Sequence, residues 1–117
     1  MQKFVNKIRQ NRLRVISEFT KIKSKGKSIA CYGAPAKATT LFYYFGIAEM
    51  VDFIVDDAPL KQGKFMPGSH IPILSAEELF KRKPGYLFIL AWNFKDPIIK
   101  KVKEKGYRGK FILPFKV

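Results

Sequence analysis

The residues best placed to do chemistry fall in three short groups. Gly33-Ala34-Pro35 follows the apolar run Ser28 to Tyr32 and leads into Lys37. A strand that turns sharply into a helix start aims backbone N–H groups and the positive end of the helix dipole at one point, which suits an anion such as a phosphate. Lys37 adds a full positive charge there. Asp56 stands 23 residues after Gly33 and closes a second apolar run, where dinucleotide-binding α/β units keep an acid for ribose hydroxyls. Trp92 and Asn93 close a third run, offering a flat apolar face for a base or sugar and an amide that both donates and accepts.

Each group also has a plainer structural account. Lys37 can be a helix-surface lysine, although it would then sit unfavourably near a positive helix start. Asp56 can be a turn residue opening Asp57-Ala58-Pro59, Trp92 can pack at the sheet edge, and Asn93 can close the turn before Asp96. Lys61 and Lys64 lie in a loop and either meet phosphates or are simply solvated. His70, the only histidine, follows Pro67-Gly68-Ser69. Without a paired acid or nucleophile it is a poor general base, so a structural or ligand-contact role is expected.

The familiar cofactor signatures are broken. Aligned on G-x-G-x-x-G/A, the stretch Cys31 to Ala36 keeps only the middle glycine and the final alanine, and Pro35 removes an N–H donor, which disfavours NAD or FAD. The Walker pattern is absent too. Cys31 is the single cysteine; it excludes an internal disulfide and a zinc cluster, and within an apolar run it is expected to be a buried small hydrophobe. No acid–base pair, triad or metal cluster stands out, so no catalytic and no metal-ligating residue is assigned.

The elements that position these groups are legible from periodicity. Phe4, Ile8, Val15, Phe19 and Ile22 recur at helical spacing, predicting an amphipathic helix over about residues 2–25 that stops at Gly26, with Asn11 and Arg12 interrupting the stripe as a bend. Then come a strand at Ser28 to Tyr32, a helix at Ala36 to Phe45 and a strand at Met50 to Asp56. Asp57 to Pro72 reads as a long ordered loop ending in the extended run Ile71-Pro72-Ile73. Ser75-Ala76-Glu77-Glu78 has the form of a capping box and predicts a short helix up to Pro84-Gly85. Tyr86 to Trp92 is apolar throughout, the mark of a central parallel strand. Asp96-Pro97 predicts an N-cap and first helical position for a helix reaching Gly106, and Lys110 to Phe115 supplies a last strand.

Strands alternating with helices predict an α/β, Rossmann-like, doubly wound and mainly parallel sheet of about five strands in the order 3-2-1-4-5, with helices on both faces. One domain of 117 residues is expected, with 1–26 as its N-terminal helix and 27–117 as its α/β core. In such a sheet ligands bind beyond the carboxyl ends of the strands where the order reverses. That rule puts Gly33, Asp56 and Trp92-Asn93 on one rim.

Composition narrows the function classes. With 23 Lys and Arg against nine Asp and Glu, the chain carries +14 and draws polyanions. Residues 1–27 hold nine basic side chains and the lone acid Glu18, and Lys95 to Lys110 holds seven basic and two acidic. Either this marks a surface for nucleic acid or an acidic partner, or these are solvated helix faces. No helix-turn-helix, zinc finger or aromatic RNA-binding sheet motif accompanies it, so nucleic acid is not favoured. No apolar run reaches the ~18 residues needed to span a bilayer, and no secretory signal opens the chain, so a cytoplasmic location and no membrane partner are expected.

Three stretches together, YGAPAKATTLFYYFG from Tyr32, VDFIVDDAPLKQGKFMPGSHIPI from Val51 and KPGYLFILAWNF from Lys83, closed by GKFILPF from Gly109, resemble the C-terminal domain of S-adenosylmethionine-dependent sugar C-methyltransferases. The resemblance covers nearly the whole chain. It implies a Rossmann-like domain that closes over a nucleotide-linked deoxysugar while a separate methyltransferase domain binds S-adenosylmethionine and carries out the chemistry. It also implies structural or substrate-side roles for Tyr32, Gly33, Ala34, Lys37, Asp56, Lys61, Gly63, Pro67, Gly68, His70, Trp92 and Asn93. The zinc cysteines and S-adenosylmethionine fingerprint of the full-length family are missing from this sequence. The expected protein is therefore a substrate-binding domain, inactive alone, with no cofactor of its own and a catalytic methyltransferase domain or subunit as partner. The alternative is a basic interaction domain for nucleic acid or an acidic protein.

Overall fold

Side chains along each strand alternate between two buried layers, and this alternation dictates how the helices must pack. The computed structural model describes residues 2–33, 43–57, 62–66, 68–91 and 94–114, with side chains from residue 9 onward. Its elements are α1 (Gln2–Ser24), β1 (Ile29–Tyr32), a 3-10 turn (Ala48–Met50), β2 (Phe53–Val55), β3 (Ile73–Leu74), α2 (Glu78–Arg82), β4 (Tyr86–Ile89), α3 (Lys95–Glu104) and β5 (Lys110–Ile112). The five strands form one sheet in the order β3-β2-β1-β4-β5, with every pair parallel. This is the expected Rossmann-like α/β arrangement, including the reversal of strand order between β1 and β4.

One layer holds Ile29 and Cys31 of β1, Ile54 of β2 and Phe88 of β4, packed against Val15, Phe19 and Ile22 of α1. The other holds Ala30, Tyr32, Phe53, Val55, Leu87 and Ile89, packed against Leu79 of α2 and Ile98 and Val102 of α3. The first helix thus packs on this sheet through its second half. Phe88 is fully buried at the centre of the first layer, with its ring centroid 5.3 Å from Phe19 and 6.0 Å from Phe45, both edge-on. Burial leaves the Cys31 thiol with a raised pKa, so it is an inert core group.

The helix ends follow their glycines. At Gly106, φ is +101°; its N–H donates to Lys103 O and the next N–H, from Tyr107, donates to Val102 O, the double closure of a Schellman motif. Gly26 ends α1 in the same way, its N–H donating to Lys23 O while that of Lys27 donates to Ile22 O.

Several boundaries differ from the sequence reading, each for a local reason. Helix α1 runs without interruption through Asn11 and Arg12, because Asn11 is buried with its Oδ1 accepting from Arg14 and Arg12 donates Nε to Tyr44 O. Strand β2 starts later than Met50 because Ala48–Met50 form a 3-10 turn and the Asp52 carboxylate accepts the Ile29 N–H at 2.8 Å. The expected capping box does not close. Glu78 binds Arg82 at 2.9 Å, and its N–H donates to Ser75 O, so the helix starts through tight backbone turns. Helix α3 begins at Lys95, ahead of Asp96, which lies in its first turn, and Pro97 is tolerated where no intrahelical N–H is needed. Strand β4 ends at Ile89 and β5 at Ile112, short of the expected Trp92 and Phe115. The expected helix Ala36 to Phe45 lies mostly outside the described residues; 43–45 are helical. Within the long loop, Met66 N donates to Ile71 O and Ile73 N to Lys64 O, folding 62–66 back along the edge strand β3.

Truncating the Phe88→Ala ring should cost about 3–5 kcal/mol, read as a lowered urea midpoint with an unchanged slope. A loss under about 1 kcal/mol would show that the Phe19–Phe88–Phe45 stack is not the centre of this layer.

Candidate functional site

Strands β1, β2 and β4 finish side by side, and the chain leaving each one forms the rim. Gly33 leaves β1 with its N–H donating to Val55 O at 2.8 Å. Its φ is +93°, and a Cβ there would lie 2.9 Å from that of Ala91. Only glycine fits both the left-handed backbone and this approach. Leu90 and Ala91 N–H groups both point at Tyr32 O, at 3.1 and 3.3 Å, fastening the end of β4 to the end of β1. Asp56 follows β2 and is buried at 8% exposure; its N–H donates to Leu74 O and its carbonyl accepts from Gln62 Nε2 at 2.9 Å.

Beside this turn three polar side chains form a closed cluster. The Tyr32 hydroxyl donates to the Asp57 carboxylate at 2.8 and 2.9 Å, and Lys101 Nζ donates to the same carboxylate at 2.8 Å. Lys101 also lies 5.2 Å from the Tyr32 ring centroid. Burial, assisted by the Asp57 charge, pushes the Tyr32 phenol above its ordinary range against the pull of Lys101. Partial burial would raise the Asp57 carboxyl, but hydrogen bonds from Lys101 and Tyr32 outweigh it and hold the group below its usual value. Lys101 is desolvated, which opposes its charge, yet the bonds to Asp57 and Tyr32 leave its pKa raised. At neutral pH the cluster is a neutral phenol, a carboxylate and an ammonium, tying the ends of β1 and β2 to α3.

The structure therefore brings Gly33 and Asp56 to one rim, with Tyr32 directly before Gly33. Ala34, Lys37, Lys61, Trp92 and Asn93 lie outside the described residues; Trp92 follows directly on Ala91, which touches Gly33. His70 is not brought to the rim. Ile54 N donates to Pro72 O, so the chain before β3 lies at the amino-terminal side of the sheet, and His70 is exposed on the turn beyond it. A cleft of about 840 Å³ also opens at that opposite edge, around Gly85 and Gly109. Volume does not choose between the two ends, because residues 34–42 and 92–93, which follow Gly33 and Ala91 in the chain, lie outside the described residues. Strand order does choose, and it favours the rim.

Asp57 and Lys101 are the functional candidates that sequence reasoning missed. Asp57 had a signal, since it is the second acid of the pair closing β2. Lys101 had none, being one of seven basic residues between Lys95 and Lys110.

A parallel sheet with Gly33, Asp56 and Ala91 around its reversal of strand order defines a Rossmann-like domain. The chain belongs to the C-methyltransferase C-terminal domain family, whose model matches residues 1–115. It is 43% identical over 93 residues, 76% of its length, to C-methyltransferase NovU of Streptomyces niveus. It spans 22% of the length of that relative. Among the described residues no helix is long and apolar enough to cross a membrane, and no group of three His, Cys, Asp or Glu is placed to hold a metal.

Two substitutions test this geometry. Gly33→Ala should lose at least ~1–2 kcal/mol from its left-handed backbone alone, seen in chemical denaturation, and wild-type stability in the variant would refute the close approach to Ala91. Asp57→Asn should lose about 0.2–1 kcal/mol at pH 7, the range for a solvent-screened pair. Because the folded Asp57 pKa lies below its ordinary value, the stabilisation is present above that value and fades as pH falls through the folded one. The gap between wild type and Asp57→Asn should accordingly close in acid; a gap that stays constant down to pH about 2 would remove Asp57 from the linkage.

Proposed function

We propose that this chain is the substrate-side domain of a sugar C-methyltransferase, holding a nucleotide-linked deoxysugar at the rim while another domain or subunit performs methyl transfer. The observation that carries the reading is the meeting of Gly33, Asp56 and Ala91 at the switch point of a domain in the C-methyltransferase C-terminal family. In this proposal Lys37 and the turn after Gly33 take the diphosphate, Asp56 accepts a sugar hydroxyl, and Trp92-Asn93 take the base or sugar face. Tyr32, Asp57 and Lys101 act as positioning residues, since their polar groups are spent on one another and fix where β1 and β2 end.

In this reading S-adenosylmethionine is held by the other domain or subunit, and no methyl-transfer step is assigned to the side chains described. The amide spectrum of the 117-residue chain, titrated with a dTDP-linked deoxysugar, should shift at Gly33, Asp57 and Ala91. Absence of any shift at millimolar ligand, or methylated product formed by the chain alone with S-adenosylmethionine, would overturn the reading.

A further inference from the structure

At the amino-terminal edge of the sheet, the segments entering β1, β4 and β5 and the carboxyl ends of α2 and α3 enclose the cleft of about 840 Å³. Five cationic residues line it, Lys27, Lys83, Lys105, Arg108 and Lys110, and no acidic residue does so among the described residues. All five are exposed, and the described ion pairs involve none of them.

The fold itself accounts for only part of this charge. Helices α1, α2 and α3 all end near the cleft, and each helix end carries at most roughly −0.5 of an elementary charge, about −1.5 in all. Five cations exceed that by more than three charges. Helix α2 has only five residues, so its share is smaller still. Acids outside the lining reduce the excess without removing it: Glu104 precedes Lys105 and Asp57 is within electrostatic reach of Lys105, while Glu78 is held by Arg82 and Glu18 by Arg14.

The walls are also built, not merely charged. The Tyr107 hydroxyl donates to Pro84 O at 3.0 Å across Gly109, where a Cβ would run into both groups. Gly85 N donates to Ser28 Oγ, and Lys110 N donates to Gly85 O, so the three incoming segments are fastened together. Burial pushes the Tyr107 phenol well above its ordinary range, so this strut stays neutral and bonded. The result is a concave, fixed, cationic surface of a size that suits a small ligand.

We infer that this cleft is a second anion site, distinct from the rim and independent of the sugar-binding reading, which takes a compact multiply charged phosphate group such as a polyphosphate or the phosphate end of a nucleotide. Concavity favours such a ligand over a broad acidic protein face.

Inorganic tripolyphosphate titrated into the full chain by calorimetry and amide NMR tests it. Saturable binding is expected, with shifts concentrated at Gly26, Gly85 and Gly109, and with affinity falling tenfold or more between about 50 and about 200 mM salt. The triple variant Lys83→Glu, Lys105→Glu, Arg108→Glu alters exposed side chains only and should abolish those shifts while the core spectrum is kept. A second variant, Arg9→Glu in the first half of α1, should leave binding within about twofold. Unsaturable binding, shifts spread along α1, unchanged binding in the triple variant, or selective binding of a single-stranded oligonucleotide along α1 would each overturn the inference. Shifts at Gly33 with none at Gly109 would do so too, while leaving the rim reading intact.

Discussion

Burial of β1 on both faces and both edges is the constraint on which the rest of the molecule depends. Ile29 to Tyr32 pair with β2 on one side and β4 on the other, so the strand has no free hydrogen-bonding edge. Ile29 and Cys31 enter one core layer and Ala30 and Tyr32 the other. A strand enclosed in this way can emerge only at its ends, and both ends then become sites of close backbone packing. At the carboxyl end Gly33 turns against Ala91; at the amino end Lys27 and Ser28 enter beside Gly85.

Those two ends differ in kind. Among the described residues the carboxyl rim has its polar groups matched: Tyr32, Asp57 and Lys101 satisfy one another, and the Asp56 N–H and carbonyl are both engaged. Matched groups hold geometry fixed, which suits the positioning of a ligand by the residues that follow. The amino edge has an excess of positive charge, because three helix ends and three strand entrances bring lysines and an arginine together with no acid among the described lining residues. An unmatched charge attracts ligand more than it organises protein. Among the described residues, the clearest focus of positive charge lies away from the rim.

The family relation gives the rim its meaning without assigning chemistry to it. The chain spans 22% of the length of its C-methyltransferase relative, and under the function proposed above it acts as a binding module in a larger reaction. Its contribution would be orientation: a substrate held at both phosphate and sugar loses rotational freedom before reaction, and that entropy is a large fraction of what a catalytic domain must otherwise overcome.

Sequence by itself determined the order and type of elements, because strand and helix periodicities and glycine stops are local properties of the chain. Val15, Phe19 and Ile22 were legible as one helix face, Tyr86 to Trp92 as a doubly covered strand, and Gly33 as the start of a sharp turn. The meeting of Gly33 with Asp56 followed from the topological rule. Boundaries were less legible, since Asp52 and Glu78 chose partners, Ile29 and Arg82, that compete with the ladder and cap their positions suggested. Only the tertiary structure decided which lysine mattered and where His70 went. Lys101 is chemically identical to its neighbours until α3 is laid over β1 and β2, and His70 is carried to the far edge because the chain must return across the sheet before a parallel β3 can begin. Charge is written residue by residue, but its concentration at Lys83, Lys105 and Arg108 exists only once helices distant in sequence end at the same place.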